Sequence, residues 1–533
     1  MTVVDYLLDT LERHGVRLIF GNPGTTELPL VRACEQRRTI KYVVALSEVS
    51  ATPMADGYAR ASRSLSVVNL HVAPGLGNGM GGLYTARIAR TPLLVLIGGQ
   101  DRRLLHTQPI LWGPVEKMAG SVLKDVFSPS TVDDAAFYVR RAIRTALTPP
   151  FAPVGLICPP DLLAQEMDAR VDRVRSPRLA GLSESDAGAY ARALVEARRP
   201  ALVAAEDVHW DHAAGALEQL ALALGAPVYV APYTAALPVS SASPCYAGYL
   251  PPSYGQIGER LAAHDLIFFV GGTGMRTTLY SQARLPQTTL WLGNDPGLLA
   301  ADGEPTLAAV ADTRLALEQI RRRVRGRRPV TRTRWRKAVA VPARRRDVFH
   351  PSRAVRALLE AFSDAIWFDE SGLSTSDVRQ WMELPAGEYF INGSGGIGWA
   401  LAASVGAAVG HPDRQVVVIT GDGSALYASE ALWTAAHQET KLLVVVLANG
   451  RYATLNEAAG RLTGHALDSF TIEPPRLNFA GLAALYGWQY HKAASEADLN
   501  AFLAASAGRV AANTLLELVL DPAVKPVMAS RHF

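Results

Sequence analysis

The sequence predicts an α/β protein built from three doubly wound parallel-sheet domains. Short β-branched runs alternate with amphipathic segments along nearly the whole chain, and most runs close on Gly or Pro. At roughly 100–200 residues per domain, 533 residues are enough for three cores. RLIFGNPG, KYVVALSE, SVVNLHVAPG, TPLLVLIGGQ and FAPVGLICPP supply the strands of a first domain over 1–175. A polar stretch, RSPRLAGLSESD, reads as a linker. PALVAAE, APVYVAP, DLIFFVGG and TTLWLGNDP then repeat the rhythm in a second domain over 185–320. An Arg-rich linker over 321–349 carries Pro329 and Pro342, and a third domain over 350–533 holds AIWFDES, QVVVITGDGS, LLVVVLANG and NTLLELVLDP.

Composition narrows the class. Hydrophobic residues make up 49% and charged residues 19%, which excludes a disordered chain and suggests large surfaces buried between subunits. The net charge of +4 comes from one place: between Arg321 and Arg346 stand 13 Lys or Arg and no acid, so the rest of the chain holds 40 basic and 49 acidic residues. A solvated linker face is the plainer account of that stretch, and anion or nucleic-acid binding by it is the lesser alternative. Elsewhere the charge gives no reason to look for nucleic acid. Cys34, Cys158 and Cys245 are an odd number without CxxC spacing, so no disulfide framework or zinc knuckle is expected and a reducing, cytoplasmic compartment fits. MTVVDYLLDTLERHGV lacks the order of a signal peptide. No apolar run approaches the ~18 residues of a membrane span, and no membrane partner is expected.

The most informative segment is QVVVITGDGSALYASEALWTAAHQETKLLVVVLANGRY. One strand ends in Gly421-Asp422-Gly423-Ser424, a helix follows, and the next strand ends at Asn449. In a parallel sheet both ends emerge on one edge, so the Asp422 carboxylate and the Asn449 amide oxygen stand side by side where such sheets bind ligands. Hard oxygens of this kind suit Mg²⁺, which takes its remaining ligands from phosphate and water. Gly421 and Gly423 let the backbone approach a diphosphate, and the helix N-terminus faces its charge. GDG alone is equally an Asp-Gly turn; the apolar strands and the spacing to Asn449 favour the site.

This GDGS…N arrangement resembles the thiamine diphosphate motif of the 2-oxo acid decarboxylase and acetolactate synthase superfamily. The resemblance extends through FGNPGTTELPL (20–30), ALSEVSATPMADGYARAS (45–62), NLHVAPGLGNGMGGL (69–83), PCYAGYLP (244–251) and GSGGIGWALAASVG (393–406), and is greatest to the benzoylformate decarboxylases. It implies pyrimidine-binding, central and diphosphate-binding domains in that order, with thiamine diphosphate and Mg²⁺ as cofactors. It also implies that Glu48 bonds the pyrimidine ring nitrogen and that Ile397 lies beneath the cofactor, with the backbones of Gly395 and Ile397 on the pyrimidine. Gly421, Asp422, Gly423, Ser424 and Asn449 would then hold the diphosphate end, with Asp422, Asn449 and the Arg451 carbonyl on the metal. Thr25 and His71 match the residues that face the substrate. FAD, held by some relatives in the middle domain, stays open. Two segments match G-x-G-x-x-G, Gly77-Gly79-Gly82 and Gly393-Gly395-Gly398; both are read as thiamine-site loops, because a dinucleotide reading leaves GDGS…N and Glu48 unexplained.

The chain departs from the resemblance on the substrate side. A second catalytic histidine of the middle domain is replaced by Thr278 in GGTGMRTTLY, with His106 as a candidate substitute. An aromatic wall after Asn449 is replaced by Glu457 and Ala458, which leaves a bulkier, polar or cationic substrate open beside an aryl glyoxylate. The hydroxyl pair for the diphosphate reads Gly372-Leu373, leaving Ser371 or Ser374. The leading expectation is non-oxidative decarboxylation of a 2-oxo acid to an aldehyde and CO₂. The alternative is a carboligase of the acetolactate synthase or benzaldehyde lyase type, joining a second aldehyde into an acyloin. A third reading, a non-catalytic binding protein, is disfavoured by the retained Glu48, Asp422 and Asn449. A homodimer or homotetramer with its site between subunits is expected.

Overall fold

A computed structural model of the chain describes residues 1–272, 275–278, 285, 287–298, 304–325, 335–343, 348–465 and 467–529. Eighteen strands among the described residues form three six-stranded sheets. The first sheet holds β1 (Leu18–Asn22), β2 (Lys41–Val44), β3 (Ser66–Leu70), β4 (Leu93–Gly98), β5 (Val126–Phe127) and β6 (Val154–Cys158), in the order β2-β1-β3-β4-β6-β5. The second holds β7 (Pro200–Ala204), β8 (Val228–Val230), β9 (Tyr246–Tyr249), β10 (Leu266–Val270), β11 (Thr288–Gly293) and β12 (Leu307–Val310), in the order β12-β11-β10-β7-β8-β9. The third holds β13 (Ile366–Glu370), β14 (Tyr389–Ile391), β15 (Val416–Gly421), β16 (Leu442–Ala448), β17 (Gln489–Ala493) and β18 (Thr514–Val519), in the order β14-β13-β15-β16-β18-β17. The registered pairs are parallel throughout, and the central strands are buried on both faces, which is why they read as continuous Val/Ile/Leu runs. The predicted α/β class with three doubly wound sheets is therefore the observed one.

By internal contact the chain forms two compact units, one of Met1–Arg178, Asn392–Val416 and Leu426–Leu442, the other of Leu179–Ile391, Val417–Ala425 and Leu443–Phe533. In the first unit the helix Glu48–Ser62 meets the helix Trp399–Gly410 through glycines. A Cβ on Gly57 would lie 2.1 Å from the Ala403 carbonyl oxygen, and one on Gly406 1.9 Å from that of Met54. The crossing is pinned by the fully buried pair Asp56 and Arg60. The Trp399 indole N–H and the Thr91 hydroxyl both donate to Asp56, and the Arg60 guanidinium lies 4.3 Å from the Trp399 ring centre. Every lone pair of this buried charge is thus put to use.

The glycines of Gly77-Gly79-Gly82 correct an expectation. They lie inside the helix Val72–Ile88, not in a loop, and a Cβ on Gly79 or Gly82 would meet Thr52 at 2.9 or 2.8 Å. Gly79 and Gly82 serve close helix packing rather than a phosphate turn. Within the basic stretch, 326–334 and 344–347 lie outside the described residues. Arg323 pairs with Glu184, and Arg336 donates to the Met382 carbonyl at 2.8 Å. No described helix is long and apolar enough to cross a membrane.

Candidate functional site

In the second unit, β15 and β16 are neighbours and the turn after each carries the predicted oxygens. Asp422 opens the short helix Asp422–Ala425, where its buried carboxylate is clasped by backbone amides: Gly423 N–H donates at 2.8 Å, Asn449 at 2.9 Å and Gly450 at 2.7 Å. Burial pushes this carboxyl up, the three amides pull it part of the way back, and the nearby Glu473 adds to the rise. The Asn449 amide oxygen accepts from Arg451 N–H at 3.1 Å, and the Arg451 carbonyl accepts from Ala453 N–H at 2.9 Å. Each of these oxygens keeps a second lone pair. A carboxylate, an amide oxygen and a main-chain carbonyl are the hard, sparse donor set that Mg²⁺ takes beside a diphosphate. Among the described residues no cluster of three His, Cys, Asp or Glu offers a rival metal site. The approach is open at Gly421, where a Cβ would meet only the Ser424 hydroxyl at 4.0 Å, whereas one on Gly423 would strike Tyr452 at 2.5 Å.

The first unit carries the remaining residues. Ser47 caps the helix that Glu48 begins, accepting from Val49 N–H at 3.2 Å. Glu48 is 5% exposed; it accepts from the Asn78 amide at 3.2 Å, and a Cβ on Gly75 would lie 2.6 Å from its Oε1. In the loop before Trp399, Gly393, Gly395 and Gly398 all have positive φ, 71°, 83° and 93°. The Gly395 N–H is taken by the Asn392 side chain at 3.0 Å, so that residue has only its carbonyl to offer a ligand. Ile397 is 40% exposed, an apolar side chain only partly covered.

His71 follows β3, and its Nδ1 lies 2.7 Å from Glu27 Oε2. Glu27 is buried and also accepts from Gly24 N–H at 2.8 Å and the Thr26 hydroxyl at 2.6 Å. Sequence reasoning missed Glu27, although FGNPGTTELPL contains it. The signal was a carboxylate next to apolar Leu28-Pro29-Leu30, which the buried face of a turn would need to satisfy. Thr25 is exposed at the start of the turn Thr25–Glu27. His106 stands exposed in the turn Arg102–Thr107.

Two substrate-side expectations change. The Glu457 carboxylate lies 2.6 Å from Lys525 Nζ and 3.7 Å from Arg461, and the Lys525 hydrogen bond holds it below the usual range. It is not a free acceptor for a cationic substrate. The Ser371 hydroxyl donates to Asp369 at 2.6 Å, so Ser374, buried beside it, is the freer of the two candidate hydroxyls.

Three doubly wound sheets, a carboxylate–amide oxygen pair on one strand edge and a buried helix-initiating glutamate define a cofactor-dependent α/β enzyme. The chain belongs to the thiamine pyrophosphate enzyme family: models of its N-terminal TPP binding, central and C-terminal TPP binding domains match residues 1–119, 188–320 and 370–514. It is 33% identical to benzoylformate decarboxylase of Pseudomonas aeruginosa over 94% of this chain and 96% of that one. The crystal structure of benzoylformate decarboxylase from Polynucleobacter necessarius superimposes with a TM-score of 0.92 at 26% identity, covering 99% of this chain and 100% of the other. A thiamine diphosphate-dependent 4-hydroxybenzoylformate decarboxylase of Rhodococcus jostii gives 0.88 at 30% identity, with 98% and 99% covered. The protein is thus a thiamine diphosphate-dependent enzyme of benzoylformate decarboxylase-like type.

Proposed function

We propose that the protein is a Mg²⁺ and thiamine diphosphate-dependent carboxy-lyase that converts a 2-oxo acid to an aldehyde and CO₂. The observation that carries this reading is the oxygen set of Asp422, Asn449 and Arg451 on one sheet edge. Thiamine diphosphate, when bound, supplies the electron sink that lets the bond to the carboxyl carbon break. Asp422, Asn449 and the Arg451 carbonyl hold Mg²⁺, while Gly421, Gly423 and Ser424 present backbone to the diphosphate. The Gly395 carbonyl and the Ile397 backbone orient the pyrimidine, and the exposed Ile397 side chain supports the cofactor. Glu48 moves the proton at the pyrimidine ring nitrogen from a poorly hydrated position. His71, aimed by Glu27, polarises the substrate carbonyl, and the Thr25 hydroxyl lines the approach.

The reading includes domains over 1–175, 185–320 and 350–533 with the linker 321–349, a homodimer or homotetramer, and a cytoplasmic location. Whether FAD is also held is decided by the visible spectrum of the purified protein. A carboligase remains the second reading, favoured by Thr278, whose hydroxyl does not protonate a carbanion as imidazole does. The test is CO₂ release and product analysis on a 2-oxo acid panel, with Glu48→Gln as the comparison. Free aldehyde from the wild type, lost in the variant, is expected. Acyloin without aldehyde transfers the assignment to ligation, and unchanged turnover in Glu48→Gln removes the mechanism.

A further inference from the structure

One carboxylate of the second unit lies against the turn that carries the metal oxygens, and its charge is poorly met by the protein around it. The segment 470–473 runs antiparallel to 450–452. Arg451 pairs with Thr471, Ile472 N–H donates to the Gly450 carbonyl at 2.8 Å, and Tyr452 N–H donates to the Phe470 carbonyl at 2.8 Å. Continuing that register brings Glu473 level with Asn449. The Glu473 side chain lies over Gly450, where a Cβ would stand 3.2 Å from its carboxyl carbon and 3.4 Å from its Oε2. Gly450 sits between Asn449 and Arg451, and its own N–H donates to Asp422 at 2.7 Å. Its φ of 70° and the carboxylate packed on it both require glycine there.

Among the described residues the Glu473 carboxylate accepts no hydrogen bond and meets one cation, Arg476, at 3.9 Å. That cation is shared, since Arg476 also donates to Glu517 at 3.5 Å. The Glu473 side chain is 44% exposed, so its oxygens are open to water. Two carboxylates therefore press like charge on one turn, and Glu473 is among the groups that push the Asp422 carboxyl up. Such repulsion is unfavourable by itself and is reversed by a divalent cation, to which both charges are attracted. Mg²⁺ also keeps several of its waters, and these need acceptors around the ion.

We propose that Glu473 is a positioning residue for the divalent cation: it accepts hydrogen bonds from the ion's water and adds its charge to that of Asp422, without joining Asp422, Asn449 and Arg451 as a ligand. The inference rests on the Mg²⁺ reading of that oxygen set. Partners that act on a metal from outside its ligands typically set affinity by about 10–100-fold. The exposure of Glu473 puts its effect at the lower end, because solvent and salt screen it. Arg476 opposes it, since the guanidinium competes with the ion for the same carboxylate.

The test measures Mn²⁺ binding to the full chain with thiamine diphosphate by electron paramagnetic resonance, which counts free Mn²⁺ and needs no turnover. Glu473→Gln keeps the size of an exposed side chain and should leave Tm unchanged. It is expected to weaken Mn²⁺ binding about 10-fold, with the difference shrinking as ionic strength rises. Arg476→Ala is expected to tighten Mn²⁺ by about two- to fivefold, the range of an exposed ion pair. Opposite signs separate this role from a purely structural pair, whose two halves would fail alike. At saturating Mg²⁺, thiamine diphosphate affinity followed by near-ultraviolet circular dichroism should be unchanged in Glu473→Gln. Three results overturn the inference while leaving the Mg²⁺ reading intact: Mn²⁺ affinity in Glu473→Gln within about twofold of wild type, weaker Mn²⁺ binding in Arg476→Ala, or a loss of thiamine diphosphate affinity that persists at saturating Mg²⁺. A wild type that binds no Mn²⁺ beside thiamine diphosphate overturns both.

Discussion

Replacing Gly24 by alanine should disable His71 without touching the metal residues. The backbone at Gly24 has φ −113°, which alanine adopts freely, so the effect is confined to the added methyl. That Cβ would lie 2.1 Å from His71 Cε1, 2.3 Å from Nδ1 and 2.4 Å from Nε2. The imidazole must move by more than an ångström to restore normal contact, and the 2.7 Å bond to Glu27 is lost. Displacement of a reacting group by about 1 Å costs on the order of 10²-fold, or about 2.7 kcal/mol at 1.36 kcal/mol per decade. Stability should fall by up to ~1.5–3 kcal/mol, the range for a bond to a charged group, and by less where water replaces it at the partly exposed ring. The assay is kcat/KM on the best 2-oxo acid, with thiamine diphosphate affinity followed by near-ultraviolet circular dichroism. A fall of about 10²-fold in kcat/KM with unchanged cofactor affinity is expected. The double variant with His71→Ala should match His71→Ala alone, because the clash disappears with the ring. A Gly24→Ala enzyme within twofold of wild type would refute the reasoning.

Two stability predictions follow from buried carboxylates. Asp56→Ala strands the fully buried Arg60 and frees the Trp399 and Thr91 donors, so unfolding free energy should drop by ~3–5 kcal/mol; a urea midpoint that barely moves would contradict it. Asp377, buried and accepting from the Ser352 hydroxyl and from Met528 N–H at 2.9 Å, is pushed up to about 6 by burial. With an unfolded value near 3.9, the folded chain binds the extra proton between about pH 4 and 6. Stability therefore falls as pH rises through that window, by about 3 kcal/mol for two units at 1.36 kcal/mol each. Denaturation of wild type and Asp377→Asn at pH 4.5 and 6.5 checks this, since the asparagine variant should lack that slope.

What the sequence made legible follows from how local each signal is. Thirteen strands are readable as apolar runs, most of them closed by Gly or Pro. The five that are not, β5, β9, β12, β14 and β17, all stand at sheet edges. Val126–Phe127 is two residues long and Tyr389–Ile391 three, while Leu307–Val310 and Gln489–Ala493 are partly exposed, so neither length nor hydrophobicity marks them. The Asp422 turn and Asn449 are legible because a strand end, a glycine turn and a 27-residue crossover lie within one βαβ unit. Glu27 is not, because it acquires its role from His71, 44 residues away on another strand's loop. The helical glycines mislead for the opposite reason: Gly77-Gly79-Gly82 copies a phosphate loop in spacing alone, and only the facing Thr52 shows that contact between helices requires Gly79 and Gly82.

The same distance dependence governs the substrate side. Read alone, Glu457 places a negative charge on the helix leaving the Asn449 turn. Its charge is met by Lys525, a residue 68 positions further along, and by Arg461 one turn away. A cationic substrate would have to compete with Lys525 for this carboxylate, which weakens its attraction as a source of selectivity. Ala458 next to it packs with Ala453 against Leu373 and Ala529, which makes this part of the wall small and apolar.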